Sequence, residues 1–369
     1  MKVLHIIKDL EPGGIQSLLL DMFHNKECFN GELALLAMGK GRLKEDFRKA
    51  AEKNFFETER KILIDPATIS FIRKTALDFD ADVVHTHHSV EMLHAYYALR
   101  KYPRIKLAHT YHVSPKISTK KDLLVSKKIE KHFQILITPS QALKDEMQEA
   151  AFHAAPRYYL VPNGLDEKRV ISTLSKEECR IKLKLNPNHF IIGMAGSFYT
   201  KIRDHKTLCK AFTLIDENDT TNLIFAGATK SSYFGNKTSA EDCISICKNA
   251  GKEKQLIFLE HLNPIADFYG AIDLYVHSSK HDTFGLAPME ACFNNLPVIL
   301  SDLAVFKEIY AHYPQLDYFT VANHKELAAL INQHINQDGK PRNAVINKRF
   351  TQNYTIEKYL SALSEVYHN

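Results

Sequence analysis

Asp282 and Glu290 stand eight positions apart in the segment His281-Asp282-Thr283-Phe284-Gly285-Leu286-Ala287-Pro288-Met289-Glu290-Ala291, bracketing a glycine loop that leads into a predicted helix. Two carboxylates so placed can accept hydrogen bonds from a hydroxyl-rich ligand such as a sugar or ribose, and backbone amides at a helix start favour an anionic oxygen. A capped helix carrying a surface glutamate would give the same spacing. A second grouping, Gly196 to His205, follows a predicted strand: the Gly196 turn offers amides, and Lys201 and Arg203 offer charge for a diphosphate. By itself it reads equally as a surface loop with two solvated cations. In a third, Glu11-Pro12-Gly13-Gly14-Ile15-Gln16, the paired glycines let the backbone approach a ligand or simply make a tight turn, and the spacing is not that of a dinucleotide fingerprint. The fourth is a set of histidines, His85, His87 and His88 at one predicted strand end and His109 and His112 at the next. Imidazoles so gathered can bind zinc, exchange protons or donate to sugar hydroxyls. A zinc site needs a ligand geometry that this spacing does not supply, and no metal is expected.

Strands and helices must place these groups. Short apolar runs alternate with longer amphipathic stretches, the rhythm of βαβ units around parallel sheets. One series of predicted strands runs from Val3 to Thr138, and a second begins after the turn Pro162-Asn163-Gly164 and ends near Leu300. This predicts an α/β chain of two consecutive domains, residues 1–163 and 164–345, with a C-terminal helical stretch in 346–369 packing back on the first. Ligands of open α/β sheets bind beyond the carboxyl ends of the strands, where all four groupings fall. The aspartates of Asp78-Phe79-Asp80-Ala81-Asp82 precede a strand, so they read as its polar entry rather than as metal ligands.

Composition agrees with an ordinary globular chain: of 369 residues, 45% are hydrophobic and 25% charged. The formal net charge of +5 is too small and the pI of 8.6 too low to point to nucleic acid. Six scattered cysteines fit reduced thiols, and neither a secretory signal nor a spanning segment is read, so a cytoplasmic protein is expected.

Taken together, the GGIQ loop, the VVHTHH strand end, LITPSQALKDEM, YLVPNGLD, GSFYTKIRDHKTL, LIFAG and HDTFGLAPMEACFNNLPVILSD resemble the retaining nucleotide-sugar glycosyltransferases of family 4, over most of residues 1–310. That resemblance implies the GT-B architecture of two facing Rossmann-like domains with an interdomain cleft, a nucleotide diphosphate sugar as donor (a UDP-sugar by frequency in the family), and a glycan or lipid-linked acceptor in surface polysaccharide or glycolipid assembly. It implies no cofactor and no metal. Residue by residue, Glu290 would accept from the donor ribose and Asp282, in the place of the family's first glutamate, from the donor sugar. Thr283, Phe284, Gly285 and Leu286 would line sugar and phosphates, with Gly13, Gly14 and Gly196 approaching the diphosphate. His112 matches the active-site histidine, with His109 the competing assignment, and His85, His87 and His109 are candidate acceptor or sugar contacts.

One departure stands out. The family carries Arg directly after the phosphate-loop glycine, where this chain has Ser197, so Arg203 and Lys201 would supply the charge that stabilises the leaving diphosphate. The implied chemistry is front-face attack by the acceptor hydroxyl with retention of configuration. A nucleotide-sugar epimerase and a non-catalytic nucleotide-sugar binder are the alternatives. Residues 100–131 hold ten lysines and arginines against Asp122 and Glu130, and the stretch 116–131 reads either as an interfacial helix for anionic lipid or as a solvated helix face. The first reading would place the protein peripherally at the inner face of a membrane.

Overall fold

The computed structural model describes all residues except 151–157, 199–200, 216–219, 230–239, 261, 337–347, 349 and 369. The chain forms two compact units, Met1–Asp166 with Tyr354–Asn369, and Glu167–Asn353. The expected boundary near 345 lies outside the described residues. In the first unit seven parallel strands stand in the order β3-β2-β1-β4-β5-β6-β7: β1 Lys2–Ile7, β2 Glu32–Ala37, β3 Phe55–Glu57, β4 Val83–Thr86, β5 Lys106–Thr110, β6 Ile135–Thr138 and β7 Tyr158–Leu160. The second unit repeats the plan with six strands ordered β10-β9-β8-β11-β12-β13: β8 Phe190–Ala195, β9 Thr221–Ala226, β10 Leu256–Phe258, β11 Leu274–His277, β12 Val298–Ser301 and β13 Leu316–Phe319. Both are doubly wound α/β sheets, as the alternating pattern predicts.

Central strands β1, β4, β8 and β11 are buried on both faces, which is why they read as continuous apolar runs. Two strands escaped the sequence reading, β3 and β13, both at sheet edges. Their residues include the exposed Glu57 and the half-buried Asp317, so neither run looks apolar.

Expected helices form at Gly14–His24, Gln141–Glu149 and, at the C-terminus, Ile356–His368. The last belongs to the first unit, where Leu165 pairs with Thr355 and a side chain at Gly164 would strike the Thr355 carbonyl oxygen at 2.5 Å. The Pro162-Asn163-Gly164 turn is thus held inside that unit rather than free as a linker. The helix in the basic segment is shorter than its charge pattern, Lys120–Ile129, and its apolar residues divide: Ile129 is buried, Leu123 and Val125 are half-buried, and Leu124 is exposed. No helix among the described residues is long and apolar enough to cross a membrane.

Candidate functional site

In the first unit strand alternation decides which histidines meet. His5 on β1 lies opposite His85 on β4, and His85 opposite Ala108 on β5. Side chains two apart share a face, so His5, His85, His87, Thr110 and His112 fall on one side of the sheet. Thr86 and His109 fall on the other. The contacts agree. His5 Nδ1 lies 3.2 Å from His87 Nε2, and His87 Nδ1 lies 3.1 Å from His112 Nε2. His85 places Nε2 2.8 Å from Thr110 Oγ1 and Nδ1 2.5 Å from Tyr367 Oη of the C-terminal helix. His109 instead bonds Thr86 Oγ1 at 2.8 Å and packs against Tyr111 and Phe133. Of the two competing histidines, only His112 is linked to the other strand-end imidazoles by a chain of hydrogen bonds among the described residues. It is also only half-buried, whereas His109 is buried.

Desolvation lowers His5 to about 3. The same cause, helped by the neighbouring His88, brings His112 to about 3, and His85, His87 and His109 are lowered well below the usual histidine range. The imidazoles are therefore neutral at physiological pH. Ring nitrogens of His5, His85 and His87 lie within 4.8 Å of one another, a density of ligand-type atoms that the sequence spacing does not disclose. His5 itself lies mid-strand and was missed, because one histidine in an apolar run carries no sequence signal.

Gly13 and Gly14 are exposed at the start of the helix Gly14–His24, on the carboxyl side of β1. Asp9 braces the loop: its carboxylate accepts from the Glu11 amide at 3.0 Å and from Gln16 Nε2 at 3.1 Å. A second brace, not foreseen, is the loop after β2. A Cβ at Gly41 would sit 2.0 Å from the Leu10 carbonyl carbon, so only a glycine lets the two backbones meet there.

In the second unit the segments around Arg203 and Asp282 close on each other. The Asp204 amide donates to Ser278 O at 3.0 Å and the Lys280 amide to Ile202 O at 2.8 Å. Arg203 Nη1 donates to Asp282 Oδ2 at 2.6 Å and to Ser279 Oγ at 3.0 Å, while Asp282 Oδ1 accepts the amides of Thr283 at 2.8 Å and Phe284 at 3.2 Å. Behind them, His277 Nε2 lies 3.4 Å from Asp282 Oδ2 and its Nδ1 3.0 Å from Tyr275 Oη. Burial, with the Arg203 charge, lowers His277 to about 4. An ionised carboxylate only accepts, so the His277 proton sits on Nε2. Burial alone raises an acid, but Arg203 and His277 outweigh it and hold Asp282 well below the usual carboxylate range. Gly196, at φ +143°, lies at the end of β8, where an added Cβ would come within 3.2 Å of Arg203 Nε. Ser197 and Lys201 are exposed nearby, and Tyr199 and Thr200 lie outside the described residues.

Gly285 takes the left-handed conformation, φ +87°, as the N-cap of the helix Leu286–Phe293, on which Glu290 is the fifth residue. Tyr310 Oη donates to the Gly285 carbonyl and pins the turn. Glu290 is buried and held from two sides, Oε1 accepting from Arg169 Nη2 at 2.9 Å and Oε2 from Tyr269 Oη at 2.6 Å. Arg169, Tyr269, His277, Ser279 and Tyr310 are the supporting residues that sequence reasoning missed. Each is remote in sequence from the group it holds except His277, whose place at the end of β11 was the available signal. Gly196, Lys201, Arg203, Asp282, Thr283, Phe284, Gly285, Leu286 and Glu290 thus lie in one unit, and Gly13, Gly14, His85, His87, His109 and His112 in the other.

Residues 31–169 match the family model described as Glycosyltransferase Family 4, and residues 175–351 match Glycosyl transferases group 1. The lipopolysaccharide core biosynthesis mannosyltransferase LpsB of Rhizobium meliloti is 26% identical over 221 residues, 57% of this chain and 62% of that protein. The O-antigen biosynthesis glycosyltransferase WclY of Escherichia coli is 22% identical over 217 residues, 57% of this chain and 55% of its own length. The chain thus matches less than two thirds of either relative's length. Among solved structures, HepE of Anabaena in complex with UDP and glucose has a TM-score of 0.83 at 19% identity, covering 99% of this chain and 98% of that one. WaaG, a glycosyltransferase involved in lipopolysaccharide biosynthesis, has a TM-score of 0.72 at 12% identity, covering 99% of both chains. At these identities the likeness is one of fold, and it is the GT-B fold.

Proposed function

The chain belongs to the family 4-like glycosyltransferases of GT-B fold, and from that premise we propose that it moves a sugar from a nucleotide diphosphate donor, a UDP-sugar, to a hydroxyl of a glycan or lipid-linked acceptor in surface polysaccharide or glycolipid assembly. The observation that carries the reading is Glu290, a buried carboxylate fixed by Arg169 and Tyr269 on the helix that follows the left-handed Gly285 turn. That preorganisation suits an acceptor of ribose hydroxyl bonds. The names of LpsB and WclY, and the UDP bound by HepE, support the setting and the base.

In this reading Asp282 receives the donor sugar's hydroxyls, with Thr283, Phe284, Gly285 and Leu286 lining sugar and phosphates. Gly13, Gly14 and Gly196 let backbone approach the diphosphate, and His112 hydrogen-bonds the donor sugar. As the glycosidic bond breaks, negative charge grows on the leaving phosphate and must be met by preorganised donors. Arg203 has one Nη committed to Asp282, and its other guanidinium hydrogens together with the exposed Lys201 take that role. The acceptor hydroxyl attacks from the same face, its proton passing to the leaving phosphate, so the anomeric configuration is retained and no metal is needed. Proton NMR of the product formed in excess EDTA tests both points. An axial anomeric linkage from an axial donor is expected, and inversion, or loss of all transfer in chelator, contradicts the mechanism. Isomerised donor in reactions without acceptor would favour the epimerase instead.

The acceptor side rests on the basic segment. On the helix Lys120–Ile129, Leu124 is exposed among Lys120, Lys121, Lys127 and Lys128, and elsewhere in the same unit Val113 and the segment Ile62-Leu63-Ile64 also expose apolar side chains. Apolar side chains among lysines suit an anionic lipid surface carrying the acceptor.

A further inference from the structure

We propose that Asp282 sets a preference for the intact donor over the nucleoside diphosphate left after transfer, its charge weakening the hold of Arg203 on the diphosphate and a sugar hydroxyl on the same carboxylate offsetting that loss. The inference deepens the reading of Asp282 and Arg203 given above and rests on it. A guanidinium carries five N–H hydrogens in a fixed fork. Those of Arg203 Nη1 go to Asp282 Oδ2 at 2.6 Å and Ser279 Oγ at 3.0 Å, while Nε and Nη2 have no protein acceptor among the described residues. Nε lies beside Gly196, where an added Cβ would come within 3.2 Å of it. The cation is thus shared between a carboxylate at one edge and the phosphate loop at the other. Both side chains are mostly shielded from water, so Asp282 cancels much of the charge that Arg203 would present, and it repels a diphosphate directly.

Four donors keep that charge in place. Asp282 Oδ1 accepts the amides of Thr283 and Phe284, and Oδ2 accepts Arg203 and, at 3.4 Å, His277 Nε2, which fills the roughly four lone-pair sites of a carboxylate. All of them favour the ionised form, so protonation does not relieve the repulsion. The His277 link is the longest of the four, and it marks the site on Oδ2 that a sugar hydroxyl can share. Such a hydroxyl adds a bond to Asp282 that exists while the sugar is attached. Once the sugar has moved to the acceptor, the bond is gone and the repulsion stays, so the nucleoside diphosphate is released. Product release limits turnover in many enzymes, and a fixed carboxylate beside the cation speeds that step without a moving part.

Calorimetric titration of the whole chain with UDP, UDP-glucose, UDP-galactose and UDP-N-acetylglucosamine tests the inference, with wild type compared with Asp282→Asn and Asp282→Glu. Wild type should bind at least one of the UDP-sugars about tenfold more tightly than UDP, the order of one hydrogen bond to a charged group. Asp282→Asn keeps the shape and removes the charge, so UDP binds about tenfold more tightly than to the wild type and the preference for the UDP-sugar is lost. Asp282→Glu restores the charge and keeps UDP binding weak. A merely structural role would weaken UDP and UDP-sugar together in Asp282→Asn, so the sign of the change separates the two. UDP binding that is unchanged or weaker in a folded Asp282→Asn overturns the inference. So does wild type that binds UDP as tightly as every UDP-sugar, a comparison that decides the matter even if Asp282→Asn does not fold. Wild type that binds neither UDP nor any UDP-sugar would instead sink the reading of the donor site on which the inference rests.

Discussion

Arg203 and Asp282 form a pair in which each partner is needed by the other. With side chains 19% and 9% exposed, removing the cation leaves a largely buried carboxylate without its compensating charge. Arg203→Ala should therefore lower stability by about 3 kcal/mol in chemical denaturation, and Arg203→Ala with Asp282→Asn by clearly less. Equal losses in the single and double variants would show that the pair is not coupled. The buried histidines make a separate prediction about acid. His5, His112, His205 and His277 have folded pKa values of about 3, 3, 3 and 4. Between those values and the unfolded value of about 6.5 the unfolded chain binds more protons, so stability is complete above pH 6.5 and falls as pH drops below it. Each such group contributes a slope of up to about 1.4 kcal/mol per pH unit in that window. His205→Phe, replacing a ring that stacks on Phe198 at 3.9 Å, should flatten the fall of melting temperature between pH 6.5 and 4.5, and an unchanged slope would count against it.

At the scale of elements, turns decide where the groups point. Gly285 is left-handed, and a Cβ there would also meet Phe306 Cε1 at 2.8 Å. Gly285→Ala should cost about 1–3 kcal/mol and weaken UDP binding, whereas Gly251→Ala, left-handed at φ +73° with nothing within 4 Å, should cost less and leave binding intact. Matched losses at the two positions would contradict a role for the Gly285 turn. This is also the scale at which sequence reading succeeds and fails most clearly. Strands such as β8 and β11 were legible because burial on both faces forces continuous apolar runs, while β3 and β13 were not, because an edge strand needs fewer apolar residues. Asp282, Gly285 and Glu290 were legible because their spacing is local. Arg169 and Tyr269 were not, since they reach Glu290 from 121 and 21 positions away and only the folded chain joins them. Strand parity, which separates His112 from His109, needed the observed register.

Across the whole molecule, the proposed donor groups lie in the second unit and His112 with the basic segment in the first. Liposomes containing anionic lipid should co-sediment the wild type and lose a variant with Lys120, Lys121, Lys127 and Lys128 reversed to Glu. Unchanged co-sedimentation would remove the lipid surface from the account. UDP should raise the melting temperature, since a ligand that binds only the folded state adds stability with its concentration. The central claim is tested most directly by following labelled sugar from a panel of UDP-sugars onto lipid-linked and oligosaccharide acceptors, comparing wild type with Glu290→Ala. Transfer from at least one UDP-sugar by the wild type is expected, with loss of most of it in Glu290→Ala. Binding of UDP-sugar without transfer to any acceptor, or equal transfer by the two proteins, would contradict it.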